Sequence, residues 1–464
     1  MWGCGAPSCR AVCPVERPEN GGNSVSSELR SRLGWAVIRA IYDGLPNFQV
    51  RRLEGMGFGP FLRLEELVPD VALIQALKER WDPECHAFLF PWGHMVPTLE
   101  DVVRITGLRV DGQAMTGTTY TSYQEPMERL LGLEVRGERS SLVQRTVLQA
   151  SLGVASARRQ TGEGQAEHME WMTDDARAAM AEEEGEAADR DLRRFLTLVI
   201  GMMILGTRGD PVGCRFLPLL EDLSSVGNYA WGAALLAHLF DSLGTSSRET
   251  GVTGFFPLLQ VWAYYHLPSL GRGVARRRGA VPLLQRWRFF RDERTLRRQV
   301  TLIHDTLDTI PFIHVRWSPY VGEDDATQPW VERGRPYFGR DIWLHCFNTV
   351  VPLHHRLVAR TLGFHQAADW RRTWCPRREW LLMKEQEGKP QPRGAPDQKS
   401  AGRMPAPRPQ RAFKSGHFFL EIGGEHATGE GDLVVTWISL KSGEDSRWEL
   451  RCEEAVCRRE ELGS

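Results

Sequence analysis

The sequence predicts a mainly α-helical fold: a single large helical domain over residues 29–370, a small β-hairpin element near 85–97 and a disordered basic linker after the domain. Apolar residues recur at helical spacing in 29–44, 70–81 and 192–206. Between the second and third of these segments, the run 85–97 is extended and contains a Pro-x-Gly turn. Helices therefore dominate the predicted architecture.

The first two predicted helices each have one apolar face and a defined boundary. Leu33, Val37 and Ile41 share one face of a helix that ends at Gly44. The helix over 70–81 follows a proline and repeats the same apolar spacing. We therefore expect both helices to pack through a single face.

Residues 85–117, CHAFLFPWGHMVPTLEDVVRITGLRVDGQAMTG, predict an extended run, a turn, a capped helix and a glycine stop in one continuous order. Thr98 follows Pro97 and suits an N-cap, and Asp101 three residues later completes a capping-box-like pair. Gly107 suits the left-handed residue that ends a helix. The pattern predicts a role in folding and contains no catalytic constellation.

The segment after residue 118 has a weaker pattern until the helix over 192–206. A helix is compatible with 143–154, and 161–192 has eleven acidic and two basic side chains, a net charge of −9, which is typical of a solvated helix or loop. The longest apolar run, 196–205, is about half the length needed to span a bilayer. We predict no transmembrane segment and no secretory signal.

The two ends of the chain differ from the helical domain in composition. Residues 1–28 are rich in Gly, Pro, Ser and Cys and are expected to be disordered. Residues 371–411 form a basic Pro/Arg-rich linker, and 412–464 form a divergent tail without a family assignment. Within that tail, 418–422 and 433–438 are β-rich and predict a small hairpin.

Charge and cysteine content limit the classes of function. With 58 basic and 59 acidic residues, the chain has no global field that attracts nucleic acid or anionic membrane. Two local blocks are basic: 272–298 has ten arginines and two carboxylates, and 370–415 has twelve basic and four acidic residues, so each has a net charge of +8. The nine cysteines lack four-ligand zinc spacing and predict free thiols in a reducing compartment.

Five blocks of residues in a fixed order give the chain a resemblance to a known family. The blocks lie in 85–117, 215–243, 254–270, 315–320 and 343–366. Their elements are aromatic–Pro–x–Gly with TLEDV and GL-x-VDG, then aromatic–Ala–Trp–Gly, LLQ-x-WA, W-x-PY and a final segment with a Gly-Phe stop. This order is similar to that of the plant mobile domain, a transposon-associated, maintenance-of-meristems-like module described as aminotransferase-like. The best-matched part is 70–366.

The resemblance implies fold-holding roles for the matched residues. They are Pro91, Gly93, Thr98, Leu99, Asp101, Gly107, Leu108, Asp111, Gly112, Asp222, Trp231, Gly232, Gln260, Trp262, Trp317, Pro319 and Tyr320. We expect Trp231, Trp262, Trp317 and Trp343 to anchor the core. The last block, 343–366, is expected to form an amphipathic helix.

The sequence offers no support for three kinds of enzyme. A pyridoxal phosphate enzyme needs a Schiff-base lysine, and Lys78, the single lysine in 1–383, lies on the polar side of a predicted helix. The GDxHG, GDxxDRG and GNHE strings of metallophosphatases are absent, as is a phosphate-binding GxxxxGK[ST] loop. We therefore predict no enzymatic activity, no catalytic residue and no cofactor.

Acidic and histidine residues that resemble metal ligands have simpler explanations. Asp222, Asp305, Asp308 and Asp341 could contribute to an acidic triad, but carboxylates at such separations are common in a chain of this length. His304 is four residues from Asp308 on a predicted helix, where a surface pair is the simpler interpretation. We predict no metal site.

The stretch 274–299 is the best candidate for nucleic-acid contact. Its candidate contact residues are Arg276, Arg277, Arg278, Arg286 and Arg288. Arginines interleaved with aromatic side chains could neutralise phosphates and stack on bases. The alternative is a basic-faced helix that the aromatic residues anchor to the core. The linker in 370–415 could also serve as a nuclear-targeting or non-specific binding arm.

The resemblance implies a non-enzymatic, transposon-derived nuclear protein linked to transposon silencing, genome maintenance and meristem or developmental control. Its expected partners are nuclear proteins or chromatin, and no membrane. Two other hypotheses stay open: a DNA- or RNA-binding accessory protein of a mobile element, and an uncharacterised enzyme.

Overall fold

The computed structural model describes residues 34–116, 122–134, 141–154, 164–207, 211–245 and 253–353, together with the backbone of 419–422, 433–442 and 448–457. The chain divides into two compact units, 1–388 and 389–464. The predicted termini at 1–28 and 371–411, and all but the three strands of 412–464, lie outside the described residues.

Helices build most of the first unit. The first half contains α1 Trp35–Gly44, α2 Asn47–Gly55, α3 Gly59–Leu62, α4 Val71–Lys78, α5 Leu99–Thr106, α6 Gln124–Pro126, α7 Arg145–Ala150, α8 Gln165–Ala179 and α9 Glu186–Val199. The second half contains α10 Trp231–Thr245, α11 Pro257–His266, α12 Leu296–Thr309 and α13 Pro329–Gly334. One π-helical turn continues α6 over Met127–Leu131 and another continues α9 over Ile200–Ile204. The mainly α-helical fold class is confirmed.

The strands of the first unit form small antiparallel sheets. They are β1 Trp81–Asp82, β2 Ala87–Phe90, β3 Gly93–Met95, β4 Leu142–Val143, β5 Val212–Gly213, β6 Val274–Ala275, β7 Trp287–Arg288, β8 Ile342–Cys346 and β9 Thr349–Leu353. The predicted hairpin is confirmed as β2–β3, in which Phe88 pairs with Met95, and β1 extends it to three strands. Within the described residues, no helix is long and apolar enough to cross a membrane.

Helix α5 is the central element of the core. It packs against α10, α11 and α13, and every residue from Asp101 to Thr106 is buried. The chain after α5 runs beside the entry to α10, where Gly232 N–H donates to the Arg109 carbonyl at 2.7 Å. In the same segment, Met115 pairs with Cys346 of β8. The 85–117 block therefore contacts both the 215–243 block and the described part of the 343–366 block.

Helices α10 and α11 are buried along most of their length, as is α1, which was expected to pack through a single face. Trp262 on α11 is fully buried, and its ring lies 5.4 Å from that of Phe88 on β2. Truncating a fully buried aromatic side chain costs about 3–5 kcal/mol. The second and third blocks are thus packed into the interior, and Trp231 and Trp262 are core residues as predicted.

Several element boundaries differ from the prediction. The helix expected over 70–81 ends at Lys78, because Trp81 pairs with Phe88 in the sheet. The helix expected from 192 starts at Glu186, directly after Gly185 and within the acidic block. Two acidic residues in its first turn suit the positive end of the helix dipole.

The predicted helix at 343–366 is wrong for its described part, which forms the β8–β9 hairpin. Side chains there alternate between buried and outward positions, the period of a strand. Trp343 faces outward and is 52% exposed, so its prediction as a core anchor is also wrong. Residues 354–366 lie outside the described part of the chain.

The basic-faced helix considered for 274–299 is also wrong up to residue 295. Strand β6 pairs with β7 there, and α12 begins only at Leu296. Arg288 and Phe290 point outward while Phe289 is buried, again a strand-like alternation.

The second unit contains an antiparallel sheet in the order β10–β11–β12, formed by Phe419–Ile422, Leu433–Ser442 and Trp448–Cys457. The first two strands correspond to the hairpin predicted at 418–422 and 433–438. Phe419 pairs with Ser439, and Leu433 pairs with Cys457 of the third strand.

Candidate functional site

Two family-matched polar residues, Thr98 and Tyr320, bind the matched Asp101 in the first turn of α5. One carboxylate oxygen, Oδ2, accepts hydrogen bonds from the Thr98 backbone N–H at 2.7 Å and from Thr98 Oγ1 at 2.8 Å. The Asp101 N–H in turn donates to Thr98 Oγ1 at 3.2 Å, which completes the predicted capping box. Local sequence thus sets the position of Asp101 at the start of the helix.

The other oxygen of Asp101 binds two residues that are distant in sequence. Oδ1 accepts a hydrogen bond from Tyr320 Oη at 2.6 Å and lies 3.0 Å from His266 Nε2. His266 is the last residue of α11, and its Nδ1 lies 2.8 Å from the Arg316 carbonyl. Each ring nitrogen of His266 therefore lies within hydrogen-bond distance of an oxygen, one on the Asp101 carboxylate and one on the Arg316 backbone.

Burial and hydrogen bonding oppose each other at Asp101. Burial alone would raise the pKa of its carboxyl, but the His266 charge and the hydrogen bonds from His266, Tyr320 and Thr98 outweigh it and lower the pKa. Burial, reinforced by the Asp101 charge, raises the pKa of Tyr320 well above its usual value. Tyr320 therefore stays a hydrogen-bond donor and Asp101 an acceptor.

Arg104 extends this cluster one turn along α5. Its Nε donates to Glu100 at 2.7 Å and one terminal nitrogen donates to Asp325 at 2.7 Å. The guanidinium also lies 5.4 Å from the Tyr320 ring centroid, within cation–π range. The segment that precedes α13 is thus bonded to α5 through the side chains of Tyr320 and Asp325.

A second buried ion pair joins α4 to the basic segment. Asp70 caps α4 by accepting from the Leu73 N–H at 3.1 Å, and it binds Arg272 at 2.8 and 2.5 Å. Gln260 on α11 completes the junction: its Oε1 accepts from the Asp70 N–H at 3.0 Å, and its amide donates to Tyr264 Oη at 2.9 Å. The family-matched glutamine is therefore a fully satisfied internal bridge.

The Asp101 cluster resembles a proton-transfer constellation in composition but is closed to solvent. Asp101 and His266 are each 1% exposed and Tyr320 is 8% exposed. A general base must reach a substrate proton, and these groups are fully engaged with one another. Its chemical capacity is to join α5, α11 and the 315–325 segment through charge-assisted hydrogen bonds.

The matched glycines lie where a side chain would collide. Gly107 ends α5 in the left-handed conformation, with φ 74°. Gly112 has φ 123°, and a Cβ there would lie 2.4 Å from the Asn228 carbonyl oxygen. A Cβ on Gly232 would lie 2.8 Å from the Arg109 carbonyl oxygen, so only glycine fits this contact between the first two blocks.

The other matched residues occupy turns, core positions and the surface. Leu99 and Leu108 are buried, Trp317 is half-buried against Phe312, and Pro319 is half-buried before Tyr320. The remaining matched positions lie as follows: Pro91 is exposed in the β2–β3 turn, Gly93 begins β3, and Asp111 binds Arg109 at 2.7 Å.

Asp222 lies outside the buried clusters. It is exposed and accepts hydrogen bonds from the Ser224 N–H at 2.9 Å and Oγ at 2.6 Å, which stabilise a local turn. These contacts lower the pKa of its carboxyl.

The metal-ligand candidates do not converge. In the described ranges, no group of three or more His, Cys, Asp or Glu side chains is placed to hold a metal ion. His304 and Asp308 lie on α12 and both bind Arg80: Arg80 Nε lies 3.3 Å from His304 Nδ1, and a terminal nitrogen lies 2.6 Å from Asp308. His304 Nε2 also binds Glu79 at 2.7 Å.

The five arginines predicted to contact nucleic acid fall into two groups. Arg276 and Arg277 both bind Glu65, and Arg286 binds Glu323 with two parallel hydrogen bonds of 2.7 and 2.8 Å. Arg278 and Arg288 are exposed. Nucleic-acid contact by these residues stays a prediction.

Sequence patterns missed several residues of the two clusters. His266 and Arg104 carry no signal of their own, although each follows a matched residue by three or four positions on the same helix. The sequence predicts Asp70 only as a helix start, and Arg272 only as part of a basic block. Long-range pairing of this kind has no local sequence signal.

Comparison with known proteins places these blocks in one family. The model of the plant mobile domain matches residues 57–375. Among similar Arabidopsis thaliana proteins, MAIN-LIKE 2 is 32% identical over an alignment that covers 59% of this chain and 38% of that protein. MAINTENANCE OF MERISTEMS is 29% identical, and the alignment covers 60% of this chain and 54% of that protein. A serine/threonine-protein phosphatase 7 long form homolog is 30% identical, and the alignment covers 64% of this chain and 22% of that protein.

The chain spans from about a fifth to about half the length of these relatives. No solved structure matches it. The family model covers well over half of the chain, and its range includes the blocks that meet at Asp101, Asp70 and Gly232. The chain belongs to the plant mobile domain family.

Proposed function

We propose that this chain is a non-enzymatic, transposon-derived nuclear protein whose helical domain acts by binding other nuclear proteins or chromatin. The observation that carries the proposal is the burial of three family-matched polar residues, Asp101, Gln260 and Tyr320. Inside the core, Asp101 is bonded to Tyr320 and to His266 of α11, and Gln260 of α11 is bonded to the Asp70 backbone. These residues stabilise the fold, so they support a function that the folded domain performs by binding through its surface.

Exposed apolar side chains support binding to proteins. Ile313 is 84% exposed and Val321 is 85% exposed, on the segment that supplies Tyr320 to the core. A bound protein would remove these apolar side chains from water, which would stabilise the complex. Trp343, 52% exposed on β8, adds a large aromatic group of the type found in binding hot spots.

The names of the relatives support a developmental role. One relative is named for the maintenance of meristems, and we extend that role, with transposon silencing and genome maintenance, to this chain as part of the proposal. The phosphatase homologue supports no hydrolysis here, because the match covers 22% of that protein and the phosphatase strings are absent from this sequence.

Affinity purification from plant nuclei tests the proposal. The tagged full chain is expected in the nuclear fraction and should recover a reproducible set of proteins or chromatin above a tag-only control. Ile313→Asp together with Val321→Asp should reduce that recovery without unfolding the protein. The matched control is Val147→Asp with Leu302→Asp, which places the same charges at other exposed apolar positions, 45% and 39% exposed, and should leave the recovered set unchanged.

Exclusion from the nucleus, or recovery no different from the tag alone, would contradict the proposal. Its non-enzymatic part is tested separately with para-nitrophenyl phosphate and divalent metal ions. The rate should equal the buffer blank. Hydrolysis that scales with protein concentration across independent preparations would refute this part.

A further inference from the structure

An exposed arginine surface lies between β7 and the first turn of α12. It consists of Arg288, Phe290, Arg291, Arg297 and Arg298, all of which are exposed, and we call it the Arg288–Arg298 surface. Phe290 is 60% exposed, and the Arg288 guanidinium lies 5.8 Å from its ring centroid. An aromatic ring thus stands in solvent beside one guanidinium, in a stretch that carries the three other exposed arginines of this surface.

These arginines differ from most of the other arginines in 272–298, which are ion-paired. The paired residues of the basic block are Arg272 with Asp70, Arg276 and Arg277 with Glu65, Arg286 with Glu323, and Arg294 with Asp292. Within the described residues, the four arginines of the Arg288–Arg298 surface form no ion pair. Most basic side chains near this surface therefore neutralise the protein's own carboxylates, and these four do not.

Few carboxylates on this stretch offset the charge. Asp292 is bound by Arg294 at 2.5 Å and faces Arg272 at 3.6 Å, and Arg294 lowers the pKa of its carboxyl to about 2. Glu293 is the other carboxylate in 288–298. Four arginines against Glu293 leave a net charge of +3 on the exposed groups. This excess of positive charge on a short stretch of chain would stabilise a bound anionic ligand.

The backbone under the surface is held in place. Phe289 is buried beneath the Arg272 guanidinium, 5.2 Å from its ring centroid. The Gln299 amide donates to the Asp292 carbonyl at 3.3 Å and to the Arg294 carbonyl at 2.6 Å, which ties the start of α12 to the preceding turn. Because Phe289 points inward, Arg288 and Phe290 both point to solvent. The arginines and the ring are thus presented together without a folding step.

We propose that the Arg288–Arg298 surface binds single-stranded nucleic acid. Arginine forks bind phosphate oxygens, and an exposed ring stacks on unpaired bases, which a duplex keeps covered. The combination of unpaired arginines with an outward phenylalanine favours this ligand over an acidic protein, which offers no flat base to stack on. The inference is independent of the protein or chromatin partner proposed above, because it concerns a separate surface and a purified ligand.

Fluorescence anisotropy with the purified full chain tests the proposal, using labelled oligo-dT and oligo-U of about 20 nucleotides. Replacing Arg288, Arg291, Arg297 and Arg298 with Gln should weaken binding about tenfold or more at low salt. It should also reduce the slope of log K against log salt by about 3, since each phosphate contact to a single strand contributes about 0.7. Phe290→Ala should weaken single-strand binding about fivefold or more and leave duplex binding unchanged.

The matched control replaces Arg39, Arg129, Arg177 and Arg190 with Gln. The side chains of these arginines are 38–60% exposed, and each binds a carboxylate on its own helix. The control keeps the basic segment 370–415, as do all other variants, and should bind as the wild type does. Stronger binding of oligo-U than of oligo-dT would assign the ligand as RNA, and the reverse order as DNA.

Four results would overturn the proposal: no binding at low salt, equal losses in the control and the test variant, equal effects of Phe290→Ala on single strands and duplex, or tighter binding to polyglutamate than to either oligonucleotide. Circular dichroism of every variant separates a lost contact from a lost fold.

Discussion

Replacing Asp101 with asparagine tests whether the buried cluster stabilises the fold. The carboxylate accepts hydrogen bonds at 2.6–3.0 Å from Thr98 N–H, Thr98 Oγ1, His266 and Tyr320. Asparagine has nearly the same shape, but it has one acceptor oxygen, so some of these donors would meet an NH₂ group. It also removes the negative charge that faces His266.

The expected cost follows from burial. Removing one member of a buried ion pair costs about 3–5 kcal/mol. Hydrogen bonds to charged groups contribute about 1.5–3 kcal/mol each, and this contribution overlaps with the first. We therefore expect Asp101→Asn to lower the free energy of unfolding by about 3 kcal/mol, a large share of the roughly 5–15 kcal/mol typical of folded domains.

Urea unfolding followed by tryptophan fluorescence measures this loss. With an m-value of about 1–3 kcal/mol/M, the midpoint should fall by about 1–3 M while m stays constant. Asp222→Asn is the matched control, because Asp222 is also a family-matched aspartate but is exposed in a local turn. The control should stay within about 0.5 kcal/mol of wild type. An equally small effect of Asp101→Asn would refute the stabilising role of the cluster.

Three further predictions concern the pH dependence of stability, the replacement of two glycines by alanine and the reactivity of two cysteines. Because the folded-state pKa of Asp101 is lowered, its stabilisation of the fold is present above the unfolded pKa of about 3.9 and is lost as pH falls through the folded pKa. In urea titrations at falling pH, Asp101→Asn should therefore lose stability less steeply than the wild type. An equally steep loss in the variant would contradict this prediction. Gly112→Ala should lower the free energy of unfolding by about 3 kcal/mol or more. Gly271→Ala should lower it by about 1 kcal/mol, because Gly271 has φ 59° but no atom lies within 4 Å of the place a Cβ would take. Equal urea midpoints for the two variants would refute the clash at Gly112. Burial raises the pKa values of Cys214 and Cys346 to about 12. Peptide mapping should therefore find that a thiol reagent labels both cysteines only after the protein is unfolded. Labelling of either cysteine in the native protein would contradict this prediction.

Local sequence was sufficient for the elements whose signals lie within a few residues. The capping box at Thr98, the left-handed Gly107 and the β2–β3 hairpin all follow from spacing and turn chemistry. Each depends on contacts between residues at most about ten positions apart, so neighbouring side chains suffice to specify it. The ordered blocks also identified the family.

Prediction failed where neighbouring strands or distant charges decide the outcome. Residues 342–353 contain apolar groups compatible with a helical face, yet they form a hairpin because Met115 pairs with Cys346 and α10 covers the inward side chains. The arginine block looks uniform in sequence, yet Glu65 and Glu323 neutralise part of it from more than thirty residues away.

By itself, the sequence determined the family, the predominance of helices and the local start and end of α5, since these follow from residue order and short-range hydrogen bonding. Only the tertiary structure decided that Asp101 joins His266 and Tyr320, from positions 165 and 219 residues away, and which arginines remain exposed. The physical reason is that burial makes an unpaired charge costly, so the fold selects the partners of each buried ion, and this selection depends on distance in space.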